Sequence, residues 1–431
     1  AGALNLTQRI TLRASARVEN SAVAELARLI EIGEQTRANR MRVIDKAAAL
    51  YVPVVHTLAA LTFLGWLFGP AVLNAIGIAA HEIGARAALL NAAAVLIITC
   101  PCALGLAVPA VQIVATGRLF KEGVLVKSGD ALERLAQVNH VVLDKTGTLT
   151  LGRPRLVGPV DVDALQRAAQ LARASRHPLS RALVEAAGPG AAGGDVREHA
   201  GEGLEGIVAG RPTRLGKRAF AAPHAPAHID GALELWLHWG EDAPVRFRFE
   251  DALRADAAET IAALRARGLE IELLSGDRPE AVSAAANAAG IQTWRAHASP
   301  QDKAERLAQL AAQGRKVWMI GDGLNDAASL AQAFISAAPG AAADVSQSAS
   351  DLVFQGDRLQ PLIEAFDVAR AAQRRVTENL GFSALYNVAA IPFAAMGFVT
   401  PLIAAIAMSS SSLVVTLNAL RLAKRRGAWI S

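Results

Sequence analysis

Four short runs in this chain place a charged group where an apolar run ends. In HVVLDKTGTLT (His140–Thr150), Asp144 closes a hydrophobic stretch and a Gly-containing turn comes next. SGD (Ser275–Asp277) follows IELL, Lys303 stands in SPQDK, and GDGLND (Gly321–Asp326) comes directly after KVWMI. In parallel α/β sheets, ligands bind outside the carboxyl ends of the strands. A carboxylate that attacks a phosphoryl group needs a divalent cation and a positive side chain, because both reacting partners are negative. Asp144 is therefore the candidate nucleophile, Asp322 with Asp144 the candidate Mg²⁺ ligands, and Lys303 the cation facing the phosphoryl oxygens. One Asp after a strand is more often a helix cap, but four such elements in this order point to phosphoryl transfer.

A second set is built for a soft ion. The only two cysteines, Cys100 and Cys102, flank Pro101 inside an apolar run, TCPCALG. Their number excludes a disulfide framework, and their spacing is not that of a thioredoxin-like motif. In a regular helix they would point roughly 200° apart. Pro101 displaces the carbonyl of Ile97 and opens the helix, so the two thiols can converge. Buried cysteines more commonly pack as small hydrophobes, yet a proline between two of them in a span favours an ion site. Thiolate suits Cu(I), and also Zn²⁺ and its heavier relatives. Tyr386 and Asn387 lie in a later apolar run, and Met408 and Ser412 lie one helical turn apart in the last. A thioether adds a soft ligand without charge, which suits Cu(I) or Ag(I), and Leu380–Leu422 contains no Asp, Glu or Lys.

These residues require both a sheet and a membrane to hold them. The 431 residues are 52% hydrophobic, and the apolar runs concentrate in Ala47–Ala115 and Leu380–Leu422. Four spans are expected: Ala47–Phe68 stopped by Gly69-Pro70, Ala87–Ala115, Leu380–Met396 and Pro401–Leu422. The segment Ala71–Ala85, interrupted by His81 and Glu82, reads as interfacial. The net charge of +5 suggests nucleic acid, but no basic stripe with interleaved aromatics is present, so no nucleic-acid partner is expected. The cations flank the spans instead, among them Arg37, Arg40, Arg118, Lys121, Arg374 and Lys424. The connectors Gly69–Arg86 and Gly397–Thr400 hold one Arg and no Lys. By the positive-inside rule, the central region and both chain ends are cytoplasmic. Residues 1–20 alternate as strands do, Ser21–Ile32 reads as an amphipathic helix, and strands alternate with helices from Phe249 to Arg370. The chain opens at Ala1 without an initiator Met, so an N-terminal part is expected to precede it.

DKTGT, SGD and GDGLND together resemble the signature of the P-type ATPases, and Cys-Pro-Cys that of their heavy-metal class. The resemblance implies an α/β haloacid-dehalogenase-like phosphorylation domain with an inserted α+β nucleotide-binding domain, plus a transmembrane helix bundle. It divides the chain into a C-terminal remnant of an actuator domain (1–37), a helix pair with the CPC motif (38–122), a phosphorylation domain (123–154 and 248–372), a nucleotide-binding domain (155–247) and two last transmembrane helices (373–431). The Thr-Gly-Glu tripeptide of a complete actuator does not occur. The implied catalytic residues are Asp144, Lys145, Thr146, Asp277, Lys303, Asp322, Asn325 and Asp326. Asp144, Thr146 and Asp322 are implied for Mg²⁺, and His177, Gly201, Gly203, Thr146, Gly276 and Asp277 for ATP. Cys100, Cys102, Tyr386, Asn387, Met408 and Ser412 are implied for the transported ion.

The family often has Glu where Arg176 stands, an acidic residue where Ala172 stands, and Thr in place of Ser275. CPC, YN and MSxSS are similar to Cu(I) pumps, and the tail MSSSSLVVTLNALRL with the SRHP variant looks most like those that export copper for cytochrome oxidase assembly. The implied partners are ATP, Cu(I), the lipid bilayer of a bacterial inner membrane and a cytosolic copper chaperone. One alternative is a Zn²⁺, Cd²⁺ or Pb²⁺ pump, although these usually place a Lys and an Asp in the last two spans. Another is a membrane-anchored phosphatase on the same fold. Such enzymes usually carry a second Asp two residues after the nucleophile, where this chain has Thr146. His224, His228 and His238 read as surface histidines rather than a metal site.

Overall fold

The computed structural model describes residues 42–76, 84–100, 102–199, 201–226, 233–322, 326–342 and 344–423. The expected segment 1–37, His81, Glu82, Pro101, His228, Asn325 and the Cys102 side chain lie outside the described residues. The chain divides into two compact units: Ala1–Gln137 with Glu364–Ser431, and Val138–Ile363.

The first unit is helical. Its helices are Arg42–Ala75, Ala85–Ile98, Cys102–Lys121, most of Gln360–Ala395, and Pro401–Leu420. Pro53–Val72 and Pro401–Leu420 are long and apolar enough to cross a membrane. Small residues sit inside and large ones outside: Ala59, Ala94, Ala394 and Ala404 pack together, while Leu385, Val388 and Leu402 are about 70% exposed. Water would not favour that arrangement. In lipid, small residues let helices approach closely, and large apolar ones face the acyl chains. Trp66 Nε1 donates to the Ala395 carbonyl at 2.7 Å, and Asn418 Nδ2 donates to Asn379 Oδ1 at 2.9 Å.

Two expectations change here. Gly69-Pro70 does not stop the first span, because Pro53 and Pro70 both lie within the helix Arg42–Ala75. A proline costs one backbone hydrogen bond and a local kink, which a membrane helix tolerates. The expected single span 87–115 is two helices, ending at Ile98 and restarting at Cys102. Thr99 closes the first helix by donating its hydroxyl to the Val95 carbonyl at 2.7 Å.

In the second unit, the parallel strands run in the order Leu352–Phe354, Ile335–Pro339, Val317–Ile320, His140–Asp144, Glu270–Leu274 and Thr293–Arg295. His140–Asp144 and Val317–Ile320 are buried along their whole length, as strands covered on both faces must be. The register sets Asp144 opposite Leu274 and Leu143 opposite Ile320. Three chain segments therefore leave the sheet at one level. A second, antiparallel sheet orders Thr150–Val157, Val245–Leu253, Leu233–Trp239, Arg211–Gly216, Gly203–Val208 and Gly194–His199. The helices Val162–Ala172 and Pro178–Ala187 pack on it through Leu165, Leu171 and Leu183 against Phe247 and Phe249.

The helix Pro300–Ala312, which carries Lys303, is held to the parallel sheet by a buried ion pair. Arg306 donates to Glu272 through Nε at 3.0 Å and Nη2 at 2.9 Å, and Glu272 is fully buried in its strand. Burial alone would raise this carboxyl, but His140 and Arg306 beside it outweigh that and hold it at about 2. A depressed carboxyl stabilises the fold above its unfolded value of 4.5, and that contribution is lost as pH falls towards 2. Glu272→Gln is therefore expected to be less stable at pH 7 and to lose less of its stability between pH 4.5 and 2. Denaturant titrations across that range test this; parallel pH profiles would refute it.

Candidate active site

Asp144 ends the central strand and is 5% exposed. Lys303 Nζ donates to Asp144 Oδ1 and to Asp326 Oδ1, each at 2.6 Å. A capping box positions this lysine: Ser299 Oγ accepts from the Asp302 N–H, Asp302 Oδ2 accepts from the Ser299 N–H, and Pro300 opens the helix. One turn of helix then points Lys303 across the strand ends. Oxygens of Asp144, Asp322 and Asp326 lie within 4.8 Å of one another, the only such cluster of three metal-capable side chains among the described residues.

Crowding of negative charge shows in their acidities. Burial first, then Asp326, pushes Asp144 up to about 7, against the pull of Lys303. Burial and Asp326 likewise push Asp322 up to about 6. Burial would lower Lys303, but Asp144 and Asp326 together hold it above the usual lysine range. Three carboxylates facing one ammonium leave a negative excess, and hard oxygens in this number suit Mg²⁺. Gly147 makes the crowding sterically feasible. It has φ +69°, and a Cβ there would collide with Asp322 Oδ2.

Lys145 Nζ pairs with Asp277 Oδ2 at 2.5 Å, joining the loop after Asp144 to the SGD turn. Ser275 Oγ accepts from the Asp277 N–H at 3.2 Å. Thr146 is exposed on the loop, and Asp326 is buried.

Sequence reasoning missed Arg254. It is buried, and its guanidinium donates to the carbonyls of Thr148 (2.8 Å), Gly147 (3.1 Å) and Gly356 (2.9 Å). Nearby, Thr150 accepts from the Gly147 N–H at 3.1 Å and donates to Asp251 at 2.6 Å. Together these fix the carbonyls and turn of DKTGT. A sequence signal existed: Arg254 comes directly after the strand that leaves the insert, and that strand pairs Leu253 with Thr150. Arg254→Met would leave three carbonyls without their donor. We expect a stability loss of about 2–3 kcal/mol and slower phosphorylation, read by denaturant melts and by label incorporation. A variant with unchanged melting and labelling would refute the clamp.

The candidate nucleotide residues other than Thr146 line one cavity of about 840 Å³, which Lys145, next to Asp144, also borders. His177, Gly201 and Gly203 share it with Lys145, Gly276 and Asp277. His177 caps the helix Pro178–Ala187, its Nδ1 accepting from the Leu179 N–H at 3.3 Å. Gly203 must be glycine, since a Cβ would collide with the Leu215 carbonyl. Ala172, at the position where the family often has an acidic residue, is fully buried and lies in the apolar core. His224 is exposed.

In the helical unit, Cys100 lies in the break between two helices, half-buried; binding a soft cation requires the reduced thiolate. Tyr386 packs against the buried cluster that includes Val95, Ile98 and Ala404, and its buried hydroxyl makes no hydrogen bond among the described residues. Ala404 is one turn before Met408. The helix Pro401–Leu420 packs on both Ala85–Ile98 and Cys102–Lys121. Asn387, Met408 and Ser412 are half-buried, and Ser412 Oγ donates to the Met408 carbonyl at 3.3 Å.

Comparison with known proteins agrees with this architecture. Residues 138–333 match the haloacid dehalogenase-like hydrolase family. The chain is 46% identical over 432 residues to the nitrogen fixation protein FixI of Rhizobium meliloti, covering 99% of this chain and 55% of that protein. It is 37% identical over 444 residues to the probable copper-exporting P-type ATPase V of Mycobacterium tuberculosis, covering 97% and 56%. Among solved structures, a zinc-transporting PIB-type ATPase in its E2·Pi state matches with a TM-score of 0.75 and 29% identity, over 95% of this chain and 68% of that one. The chain is thus similar along nearly its whole length to P-type ATPases. Its relatives include proteins named FixI and copper-exporting P-type ATPase. It spans about half the length of the curated relatives it matches.

Proposed function

We propose that this chain is the phosphorylating and ion-binding part of a pump that moves Cu(I), or Ag(I), across a bacterial inner membrane, driven by ATP. The observation that carries this is Lys303 bonded at once to Asp144 and Asp326, beside a third carboxylate and a cavity bordered by Lys145. Asp144 attacks the γ-phosphorus, the bond to the β–γ bridging oxygen breaks, and ADP leaves. Lys303 offsets charge on the transferring oxygens, and the Lys145–Asp277 pair and the Arg254 clamp hold the loop in line. Asp144 and Asp322, with Thr146, would hold Mg²⁺, which when bound neutralises phosphate charge. Thr146 offers no acid two residues after the nucleophile, so the acyl phosphate persists long enough to drive a change of shape. His177, Gly201, Gly203, Gly276 and Asp277 hold ATP, with Asn325 and Asp326 completing the catalytic set.

For the ion, reduced Cys100 and Cys102 with Met408 supply soft donors, and Tyr386, Asn387 and Ser412 shape the site. A span pair without Asp, Glu or Lys has nothing to balance a second positive charge, which favours Cu(I) over Zn²⁺. The nucleotide and phosphorylation domains are cytoplasmic, and a cytosolic copper chaperone is the expected donor. Metal-dependent phosphorylation of the full-length protein tests the reading: Cu(I) and Ag(I) should promote labelling and Zn²⁺ much less. Stronger stimulation by Zn²⁺ would overturn the ion assignment, and steady Asp144-dependent phosphate release with Mg²⁺ but without Cu(I), Ag(I) or Zn²⁺ would favour a phosphatase.

A further inference from the structure

Resting on the proposed nucleotide cavity, we propose that Glu198 sets its base specificity by accepting the exocyclic amine of adenine. ATP must reach Asp144 with its γ-phosphate, so the triphosphate lies at the end bordered by Lys145, Gly276 and Asp277. The base then falls among residues of the antiparallel insert. One part of the wall there is apolar, with Leu179, Leu204, Leu215 and Leu235, and Gly203 and Gly216 pair in register across adjacent strands. A Cβ at Gly216 would collide with the Glu202 carbonyl. That wall suits a flat ring and carries little to tell one purine from another.

Glu202, Glu234 and Lys217 also line the cavity, but of the carboxylates there Glu198 is the one bonded to the turn that presents His177. It stands near the end of the edge strand Gly194–His199, paired with Leu204, and it lines the same cavity. Ser175 Oγ donates to its Oε1 at 3.1 Å, while the same Ser175 oxygen accepts from the His177 N–H at 3.2 Å. The carboxylate is thus fixed to the turn that presents His177. Its Oε2 makes no hydrogen bond among the described residues and can accept from a ligand. A carboxylate only accepts, and the 6-amino group of adenine only donates. Guanine has a carbonyl oxygen there, which would meet like charge with no shared proton. A carboxylate facing that position therefore selects ATP over GTP.

The scaffolding alternative makes a different demand. If Glu198 only ties down the Ser175 turn, Gln serves as well, since its carbonyl oxygen still accepts from Ser175. The test compares γ-labelled ATP and GTP as donors for Asp144 labelling, using the full chain and Glu198→Gln. The unmodified chain should favour ATP. In the variant, whose amide can donate to guanine O6, the ATP-to-GTP preference should fall by about tenfold, the effect of one charge-assisted hydrogen bond. Glu198→Ala should lower ATP use without a matching gain for GTP. Intact labelling with an unchanged ratio in Glu198→Gln, or no preference in the unmodified chain, overturns the assignment while the phosphorylation reading stands. Absence of Asp144-dependent labelling in the unmodified chain overturns that reading, and this assignment with it.

Discussion

Asp144→Asn is expected to lose all of the acid-stable, hydroxylamine-sensitive label that γ-labelled ATP leaves on the protein. An amide nearly matches the carboxylate in size and keeps an oxygen for Lys303, so the fold should survive. What disappears is the nucleophile. The variant should also report on the crowding of charge. A carboxyl pushed up to about 7 in the folded protein, from an ordinary 3.8, favours the fold when protonated. Its contribution is present below the ordinary value and is lost as pH rises through 7. With Mg²⁺ chelated, the Asn variant should therefore melt above the unmodified chain at pH 8 and no longer show that loss between pH 4 and 7. Label persisting in Asp144→Asn would remove Asp144 from the chemistry. A melting point unchanged at pH 8 would mean the three carboxylates do not repel as their spacing implies.

The second large effect concerns the ion, and reads best in the full-length pump under reducing conditions. Cys100→Ser or Cys102→Ser puts a hard oxygen where soft sulfur stood. Cu(I) binding should weaken far beyond the roughly 1 kcal/mol of an ordinary hydrogen bond. Met408→Leu keeps volume and removes the thioether, so its packing cost should stay below about 1.5 kcal/mol. A drop in Cu(I) affinity of about tenfold or more at unchanged melting is then a ligand effect. Tyr386→Phe removes a hydroxyl that has no partner among the described residues, so it should leave stability unchanged and bear on ion binding alone. If Zn²⁺ stimulates phosphorylation more than Cu(I), and Met408→Leu is silent, the copper assignment falls and the phosphoryl chemistry stands.

Much of the catalytic centre was legible because its parts are local. HVVLD and KVWMI are apolar enough to be buried strands, and the chain beyond a buried parallel strand must leave the sheet at its carboxyl end. The sheet then gathers Asp144, Asp277 and Asp322 without further information. The local opening at Pro101 was legible for the same reason, since a ring in place of an N–H acts within one turn, but the division of the span into two helices was not. Gly69-Pro70 misled because the same local cost is small in a helix that lipid and neighbours support. Arg254, the Glu272–Arg306 pair and Glu198 were not legible. Each matters through a partner 23 to 107 residues away, and no periodicity or spacing marks such a pair until the sheets set the register.

The antiparallel pairing of Thr150–Val157 with Val245–Leu253 also makes the insert replaceable in principle. Entry and exit are clasped side by side, so the distance between the phosphorylation loop and Arg254 does not depend on how much chain lies beyond the clasp. Lengthening a surface loop out there carries only a slow entropic cost, about 0.6 kcal/mol for each doubling. Most of the stretch Gly188–Gly193, GPGAAG, is exposed, which makes it a natural seat for a genetically encoded reporter. A fluorophore placed there would ride on the insert and could follow its response to added ATP, with the residues around Asp144 left undisturbed.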